Sequence, residues 1–473
     1  MSTKQNHQKP LWRMRATERR ILLLIGDTLV TLLALLSALY FWAQGDAWLK
    51  FSWAFLNERV PTWFILLPIV WLILLIELYD IRRANNRGET LRGIALAAGV
   101  GMIIYLVFFF LAKDPLPRRG VAGFVLAAAL LTLGWRLLYI RIFTAPQFMR
   151  RVLIVGAGRA GSSLVEHIRS IYPPPFFIVG FIDDDPSKIG VEVEEIKVLG
   201  GGTDLLEIID REYISDLFFA ISGEMNSTTF TALMEARERG IEVSTFSSIY
   251  EELLGRVPIS LLESDWILRS FVDQAHSNVF YDMAKRLMDI LGGIAGTLGM
   301  LIILPFVALA TLIDSGFPLF YSQERLGIYG KSYKVYKFRT MIQDAEKESG
   351  ARPASKNDDR VTRVGRFLRM SHLDELPQFL TVLTGDMSLV GPRSERPELI
   401  EKFQEVIPFY RARLFVKPGL TGWAQVNFGY AWNVTTNTIK QEYDLYYIKH
   451  RNLFLDLLII IRTISTVVGL KGR

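Results

Sequence analysis

Four long apolar stretches open the chain, Ile21–Ala43, Trp63–Leu78, Ile94–Ala112 and Val121–Ile140, and a fifth stands apart at Ile290–Ile313. The third has 19 residues without a charge, enough at about 1.5 Å per residue to cross a ~30 Å hydrocarbon core. The first carries Asp27, and the fourth carries Arg136, whose long stem suits snorkelling toward the interface. A cleaved signal peptide is a poor reading of the first stretch, which is too long and lacks a small-residue cleavage site. Lys4, Lys9, Arg13, Arg15, Arg19 and Arg20 precede it, and Arg82, Arg83, Arg87 and Arg92 fill the second connection. The positive-inside rule therefore puts the N-terminus in the cytoplasm, and four spans return the chain there near Arg141. Such a block reads as an anchor without chemistry of its own.

From Arg151 the pattern becomes that of a soluble α/β domain. A buried-strand run, Arg151–Val155, meets Gly156-Ala-Gly158-Arg-Ala-Gly161 and then a helical stretch, Ser162–Ile171. Strand, GxGxxG and helix in that order is the dinucleotide-binding context, which makes Gly156, Gly158 and Gly161 candidate nucleotide contacts. A second strand, Phe176–Ile182, ends in Asp183-Asp184-Asp185, about where a ribose-binding acid belongs; Ile214–Ala220 and Ile241–Phe246 continue the strand pattern. A catalytic NAD site, a regulatory nucleotide site and a fold that binds nothing all fit. The Tyr281/Lys285 and Tyr333/Lys337 pairs resemble a short-chain oxidoreductase pair, but neither lies on a helix following these strands. A non-catalytic domain is the favoured reading.

The fifth apolar run has 24 residues without a charge, interrupted by Pro305. Its first arm, Ile290–Leu304, makes only about 22 Å of helix, and a proline inside a helix removes a hydrogen bond and bends the axis. Lys285 and Arg286 precede the run, and Arg325, Lys331, Lys334, Lys337 and Arg339 come after it. Both flanks then belong on the cytoplasmic side. The expectation is a re-entrant helix that breaks near Pro305, with a kinked spanning helix as the alternative.

Composition narrows the chemistry. The 473 residues contain no Cys, which excludes disulfides, thiolate metal sites and a cysteine nucleophile. The five His residues show no metal-ligand spacing, and 54 basic against 48 acidic residues leave only +6, too little to argue for nucleic acid. Chemistry-bearing patterns crowd the last 150 or so residues. Lys337-Phe-Arg339, Gly365-Arg366-Phe-Leu-Arg369, Leu373-Asp374-Glu375-Leu-Pro377-Gln378, Gly385-Asp386-Met387-Ser388, Gly391-Pro392-Arg393 and Lys417-Pro-Gly-Leu-Thr421-Gly-Trp423 place bases beside glycines and one acid pair. Arg and Lys donate to phosphate oxygens, and a carboxylate can attack phosphorus when cations or a divalent ion offset the repulsion. The ordinary explanation is a helix start, with Ser371-x-x-Asp374 as a capping box. His372 reads as a packing or hydrogen-bonding residue. Leu453–Leu470 reads as an interfacial helix, or as a core helix whose two charges face water.

The motif series over Tyr281–Arg473 closely resembles the bacterial polyprenyl-phosphate hexose-1-phosphate transferases, the monotopic phosphoglycosyl transferase superfamily. The N-terminal block and Rossmann-like domain are similar to its larger members. This resemblance implies that Asp374 is the nucleophile toward a UDP-sugar, expelling UMP, and that undecaprenyl phosphate then accepts the phospho-sugar. It implies Mg2+ at Glu375, with Asp386 a weaker metal candidate, and Lys337, Arg339, Arg369 and Arg393 around the phosphates. Pro305 matches the family's helix-breaking proline. His372 stands where a small polar residue is common, and Ser394 where Pro is frequent. The implied architecture is a bacterial inner-membrane protein. It has an α-helical transmembrane block (1–145), a Rossmann-like doubly wound α/β domain (146–270) and a mostly helical α+β catalytic domain (271–473) with a re-entrant helix at about 286–314. UDP-sugar, undecaprenyl phosphate and inner-membrane lipid are the expected partners, a homo-oligomer is compatible, and the sugar is not readable. The competing readings are a membrane-anchored NAD-dependent nucleotide-sugar epimerase or dehydratase and a non-enzymatic nucleotide sensor.

Overall fold

The computed structural model describes residues 16–45, 48–111, 117–143, 149–171, 174–221, 223, 225–259, 279–343, 358–429 and 433–468. The boundaries expected near 145 and 270, and the first four basic residues of the N-terminal tail, lie outside these. Packing divides the chain into two units, residues 1–249 and 250–473.

In the first unit the apolar runs become α1 (Ala16–Gln44), α2 (Trp53–Arg59), α3 (Leu67–Leu74), α4 (Ile81–Ala84), α5 (Arg87–Leu111) and α6 (Arg118–Phe143). Three of these, α1, α5 and α6, are long and apolar enough to cross a bilayer by themselves. The second run is not one helix. Prolines at 61 and 68 start new turns, and the segment reaches spanning length only together with α2, across a 101° bend.

Arg136 does not snorkel. It is 0% exposed and donates from Nε (3.2 Å) and Nη2 (2.5 Å) to the Asp27 carboxylate and from Nη1 to the Leu78 carbonyl at 2.8 Å. The charge in α6 is thus the partner of the charge in α1. Trp71 adds a bond to Thr132 at 3.1 Å, and Ala34, Ala38, Phe124 and Ala128 fill the space between the helices.

The middle of the chain forms β1 (Arg150–Val155), α7 (Arg159–Ser170), β2 (Phe176–Ile182), β3 (Glu192–Val193), β4 (Ile196–Gly200), α8 (Leu205–Glu212), β5 (Asp216–Phe219), α9 (Ser227–Glu238) and β6 (Glu242–Thr245), followed by α10 (Phe246–Leu254). The sheet order is β3-β4-β2-β1-β5-β6, parallel throughout except for the β3–β4 edge pair. β1 lies at its centre and is buried from Val152 to Val155, as the continuous apolar run predicts.

The second unit is organised on α11 (Val279–Ser315), a 37-residue helix about 55 Å long. It does not stop at Pro305, which lies inside it. One face packs on the unit along its whole length. Near its start, Asp289 accepts from Ser388 Oγ (2.9 Å) and the Leu389 amide (2.8 Å), and Arg286 donates to the Val382 and Leu383 carbonyls. Near its end, Asp314 accepts from the Val364 amide at 3.0 Å. The opposite face is open and apolar, with Ile302 71% and Phe306 73% exposed.

The hairpin of β7 (Phe320–Leu326) and β8 (Ser332–Phe338) comes next, then α12 (Arg363–Met370), α13 (Gln378–Thr384), β9 (Ser388–Val390), α14 (Pro397–Gln404), β10 (Gly419–Thr421), α15 (Trp423–Asn427), α16 (Val434–His450) and α17 (Leu453–Val468). β9 and β10 pair in parallel. The charges of α17 do not face water: Asp456 accepts from Tyr281 Oη, Lys285 Nζ and Tyr447 Oη at 2.8–3.0 Å, and Arg462 donates to Asn427 and lies over Trp423. α17 is a core helix.

Arg136→Met should lower the unfolding free energy by about 3–5 kcal/mol, because it strands a buried carboxylate, and Asp27→Leu/Arg136→Met should recover most of that loss. Thermal denaturation of the solubilised variants measures both.

Candidate active site

A short stretch of chain with tight local constraints builds the site. Thr362 caps α12 by accepting from the Gly365 amide at 3.0 Å. A Cβ at Gly365 would lie 2.1 Å from the Thr340 carbonyl, so only glycine lets α12 sit this close to the end of β8. Arg369, in the last turn of α12, donates from Nε to Thr340 Oγ1 at 2.8 Å. Ser371 turns back, donating to the Phe367 carbonyl at 2.8 Å. Its hydroxyl is therefore not a cap for the turn of Asp374, and the capping box is not formed. His372 takes left-handed backbone angles (φ 55°, ψ 14°) and breaks the helix direction. The next residues make a single tight turn, Leu373–Glu375, which leads through Pro377 into α13.

That turn presents two adjacent carboxylates to different surroundings. Lys337 Nζ from β8 and Arg393 Nη2 from the loop after β9 both bond Glu375 Oε1 at 2.6 Å. Asp374 is 9% exposed and, among the described residues, receives no hydrogen bond on its carboxylate. Burial and the charge of Glu375 raise its pKa to about 6, against the pull of Lys337, Arg369 and Arg393. For Glu375, burial pushes upward too, but Arg393 and Lys337 overturn it and hold the group well below the usual carboxylate range. One acid is a fixed anion; its neighbour titrates near neutrality with its oxygens uncommitted. Adjacent acids driven apart in this way mark reactive sites.

Asp374, Glu375, Lys337, Arg369 and Arg393 are therefore brought together. Arg339 is not. Its guanidinium donates to the Ser315, Gly316 and Phe317 carbonyls and to Ser315 Oγ at 2.5–2.9 Å, closing the end of α11. Asp386 is exposed and accepts from Thr384 Oγ1 at 3.0 Å. Among the described residues no group of three or more acidic or His side chains could hold a metal ion. Pro305 lies within α11, not at a break in it. In the middle domain Gly156 has φ +112°, and a Cβ at Gly161 would meet the Gly156 carbonyl at 2.1 Å, so the fingerprint serves turn and packing. Asp183 Oδ2 accepts from the Ala157 amide of that turn (2.8 Å) and from Lys188 (3.0 Å).

Sequence reasoning missed what holds Arg393 in place. Glu395 is largely enclosed and bonded by Lys440 at 2.6 Å, and Arg413 bonds Asp444 at 2.6 Å. Arg325 and Arg413 donate to the Ser394 and Arg393 carbonyls. Although burial opposes ionisation, Lys440 and Arg413 bring Glu395 down to about 2. Its only sequence signal was charge at distant positions, which no spacing rule connects.

Residues 280–470 match the family model described as bacterial sugar transferase, and residues 74–245 match the CoA-binding domain model. The UDP-N-acetylgalactosamine-undecaprenyl-phosphate N-acetylgalactosaminephosphotransferase of Aeromonas hydrophila is 40% identical over 228 residues, 48% of this chain and 52% of its own. The UDP-glucose:undecaprenyl-phosphate glucose-1-phosphate transferase of Escherichia coli (strain K12) is 33% identical over 336 residues, 67% of each chain. The enzyme of that name from Caulobacter vibrioides is 38% identical over 192 residues, 40% of this chain and 72% of its own. The chain spans about half the length of some curated relatives it matches, 52% for the Aeromonas protein. It belongs to the bacterial sugar transferase family, the polyprenyl-phosphate hexose-1-phosphate transferases.

Because the folded pKa of Asp374 lies above its unfolded value of 3.8, any stability gained from its proton is present at low pH and disappears as pH rises through about 6. Asp374→Asn should therefore melt at or above wild type at pH 7.5, by up to about 3 kcal/mol, with the gap narrowing as pH falls through about 6 and closing only near pH 4. Thermal melts across that range check it.

Proposed function

We propose that this protein transfers a sugar-1-phosphate from a UDP-sugar to undecaprenyl phosphate through a phospho-sugar on Asp374, and so starts exopolysaccharide or O-antigen-type assembly. The observation that carries this reading is the uncommitted Asp374 carboxylate beside a Glu375 that takes both cations. In the first step an Asp374 oxygen forms a bond to the sugar-linked phosphorus. The bond from that phosphorus to the bridging oxygen breaks, and UMP leaves with the electron pair. In the second step an oxygen of undecaprenyl phosphate bonds the same phosphorus and the Asp374–phosphorus bond breaks, which regenerates the carboxylate. Lys337, Arg369 and Arg393 offset the charge of the diphosphate as it meets the anionic nucleophile. Neither step needs a proton, so no acid–base residue is called for.

Mg2+ is commonly bound by one or two carboxylates together with substrate phosphates. The dyad fits that minimal demand. Glu375 Oε1 carries both cations, while Oε2 has, among the described residues, a single 3.5 Å hydrogen bond from Arg393. Glu375 would hold the ion, which supplies further neutralisation of the diphosphate.

The membrane reading rests on α11. Both of its ends are bonded to one folded unit, through Arg286 and Asp289 at the start and Asp314 at the finish. A helix so held is buried in the inner leaflet by its open apolar face without delivering its end to the far side, which fits a re-entrant or in-plane helix better than a spanning one. It keeps the site on the cytoplasmic face of the inner membrane, where UDP-sugars are. The middle sheet supports a Rossmann-like reading, because its parallel strands, renumbered in chain order, run 3-2-1-4-5. The redox alternative is disfavoured: Tyr281 and Lys285 are both committed to Asp456.

Membranes containing the protein should release UMP from at least one of a panel of UDP-sugars only when undecaprenyl phosphate is present for continued turnover. Asp374→Asn should lower that rate by at least about 10^3-fold, and near-normal turnover by the variant would remove Asp374 as nucleophile. Since the chain has no Cys, Asp359→Cys gives a single label site. An impermeant thiol reagent should miss it in intact spheroplasts and reach it in inverted vesicles; the reverse pattern would defeat the topology.

A further inference from the structure

Two buried nitrogens with nothing to bond flank Asp374. His372 Nε2, two residues before it, and Gln378 Nε2, four after it, have no hydrogen-bond partner among the described residues. Buried polar groups are nearly always paired, because a dry one has lost its water without compensation. Gln378 is 5% exposed, and a separation of four through helical backbone sets it on the same side of the chain as Asp374. The charges of Glu375, Arg393 and Lys337 act on the His372 ring, which places it beside the same cluster. A neutral imidazole offers one donor and one acceptor.

The turn accounts for the backbone of His372 but not for its ring. Its amide donates to the Arg369 carbonyl and its carbonyl accepts from the Glu375 amide, both main-chain bonds. Glycine or asparagine would make the same left-handed turn with less strain. Nor do the two transfer steps require the ring, since no proton moves in them.

We infer that His372 and Gln378 are donor-substrate contacts. Their free nitrogens bond oxygens of the hexosyl phosphate while it is carried at Asp374, and His372 discriminates among the sugars. The inference rests on the proposed transfer reaction. Neutral donors suit sugar hydroxyls, whose loss or inversion leaves the buried nitrogen unpaired again, and sites built in this way reject the wrong substrate strongly.

Three variants separate the ring from the turn and the amide from its volume. His372→Gly keeps only the turn, His372→Asn keeps the turn with a donor and an acceptor, and Gln378→Met keeps the volume without polarity. Each is assayed for UMP release from UDP-glucose, UDP-galactose and their N-acetylated counterparts with undecaprenyl phosphate, beside a thermal melt. His372→Gly and Gln378→Met should melt no lower than wild type yet lose about tenfold or more in kcat/KM on the preferred sugar. His372→Gly should also compress the ratio between preferred and next-best sugars, and His372→Asn should restore most of the loss. Wild-type rates and ratios in both His372→Gly and Gln378→Met would overturn the inference. Failure of the proposed transfer is visible separately, as absence of UMP release by the wild type on every sugar.

Discussion

Two cations converge on a single oxygen of Glu375, and the proposed reaction depends on the neighbouring carboxylate, to which neither donates a hydrogen bond. Lys337 arrives from a strand and Arg393 from a loop, both at 2.6 Å. Had they been divided between the two acids, each would be a quiet ion pair. Their concentration on one acid holds Glu375 well below the usual carboxylate range, and its charge together with burial raises Asp374, whose carboxylate receives no hydrogen bond among the described residues. In the proposed reaction the same cations would take the phosphates of the incoming diphosphate, which would meet positive charge before it met Asp374. The unfavourable burial of Asp374 is offset elsewhere in the unit, as expected of a site built for reaction rather than stability.

That arrangement depends on helix α11 as its floor. Glycines at 292, 293 and 296 leave no room for a Cβ against Leu389, Leu383 and Phe379. Through them the helix comes close enough for Arg286 to reach the last carbonyls of α13, the helix that begins beside the dyad. At the other end Arg339, the residue after the strand that carries Lys337, closes the helix terminus. The buried network of Glu395, Lys440, Arg413 and Asp444 fixes the Arg393 loop from behind. The apolar outer face of α11 and the charged dyad thus belong to one packed unit, and in the proposed reading this would set the reaction at the boundary of a lipid phase.

Much of this was legible in the sequence where the signal was local. The run before Gly156 gave the central strand, and the motifs around Leu373-Asp374-Glu375 pointed to the residues that the fold gathers there, Lys337, Arg369 and Arg393. What stayed hidden was partnership across distance. Arg136 read as a snorkelling residue because nothing in its own helix shows that Asp27, 109 positions away in the chain, meets it in the fold. Arg339 read as a phosphate ligand because it shares a motif with Lys337, although it lies just past the end of β8, where the carbonyls that close α11 take up its guanidinium. Asp456 and Arg462 read as solvent-facing because a buried ion is expected only where a partner is visible, and Lys285 and Asn427 are far off in sequence. Pro305 predicted a break, yet the missing amide costs one bond and the helix resumes on both sides.

The central claim is that Asp374 itself carries the hexosyl phosphate between donor and acceptor. Its most direct test is mass spectrometry of the enzyme quenched after incubation with a UDP-sugar in the absence of undecaprenyl phosphate. The predicted result is a hexosyl-phosphate mass increment on the peptide containing Asp374, discharged when undecaprenyl phosphate is added. An unmodified peptide from enzyme shown to be active in the same preparation would contradict it.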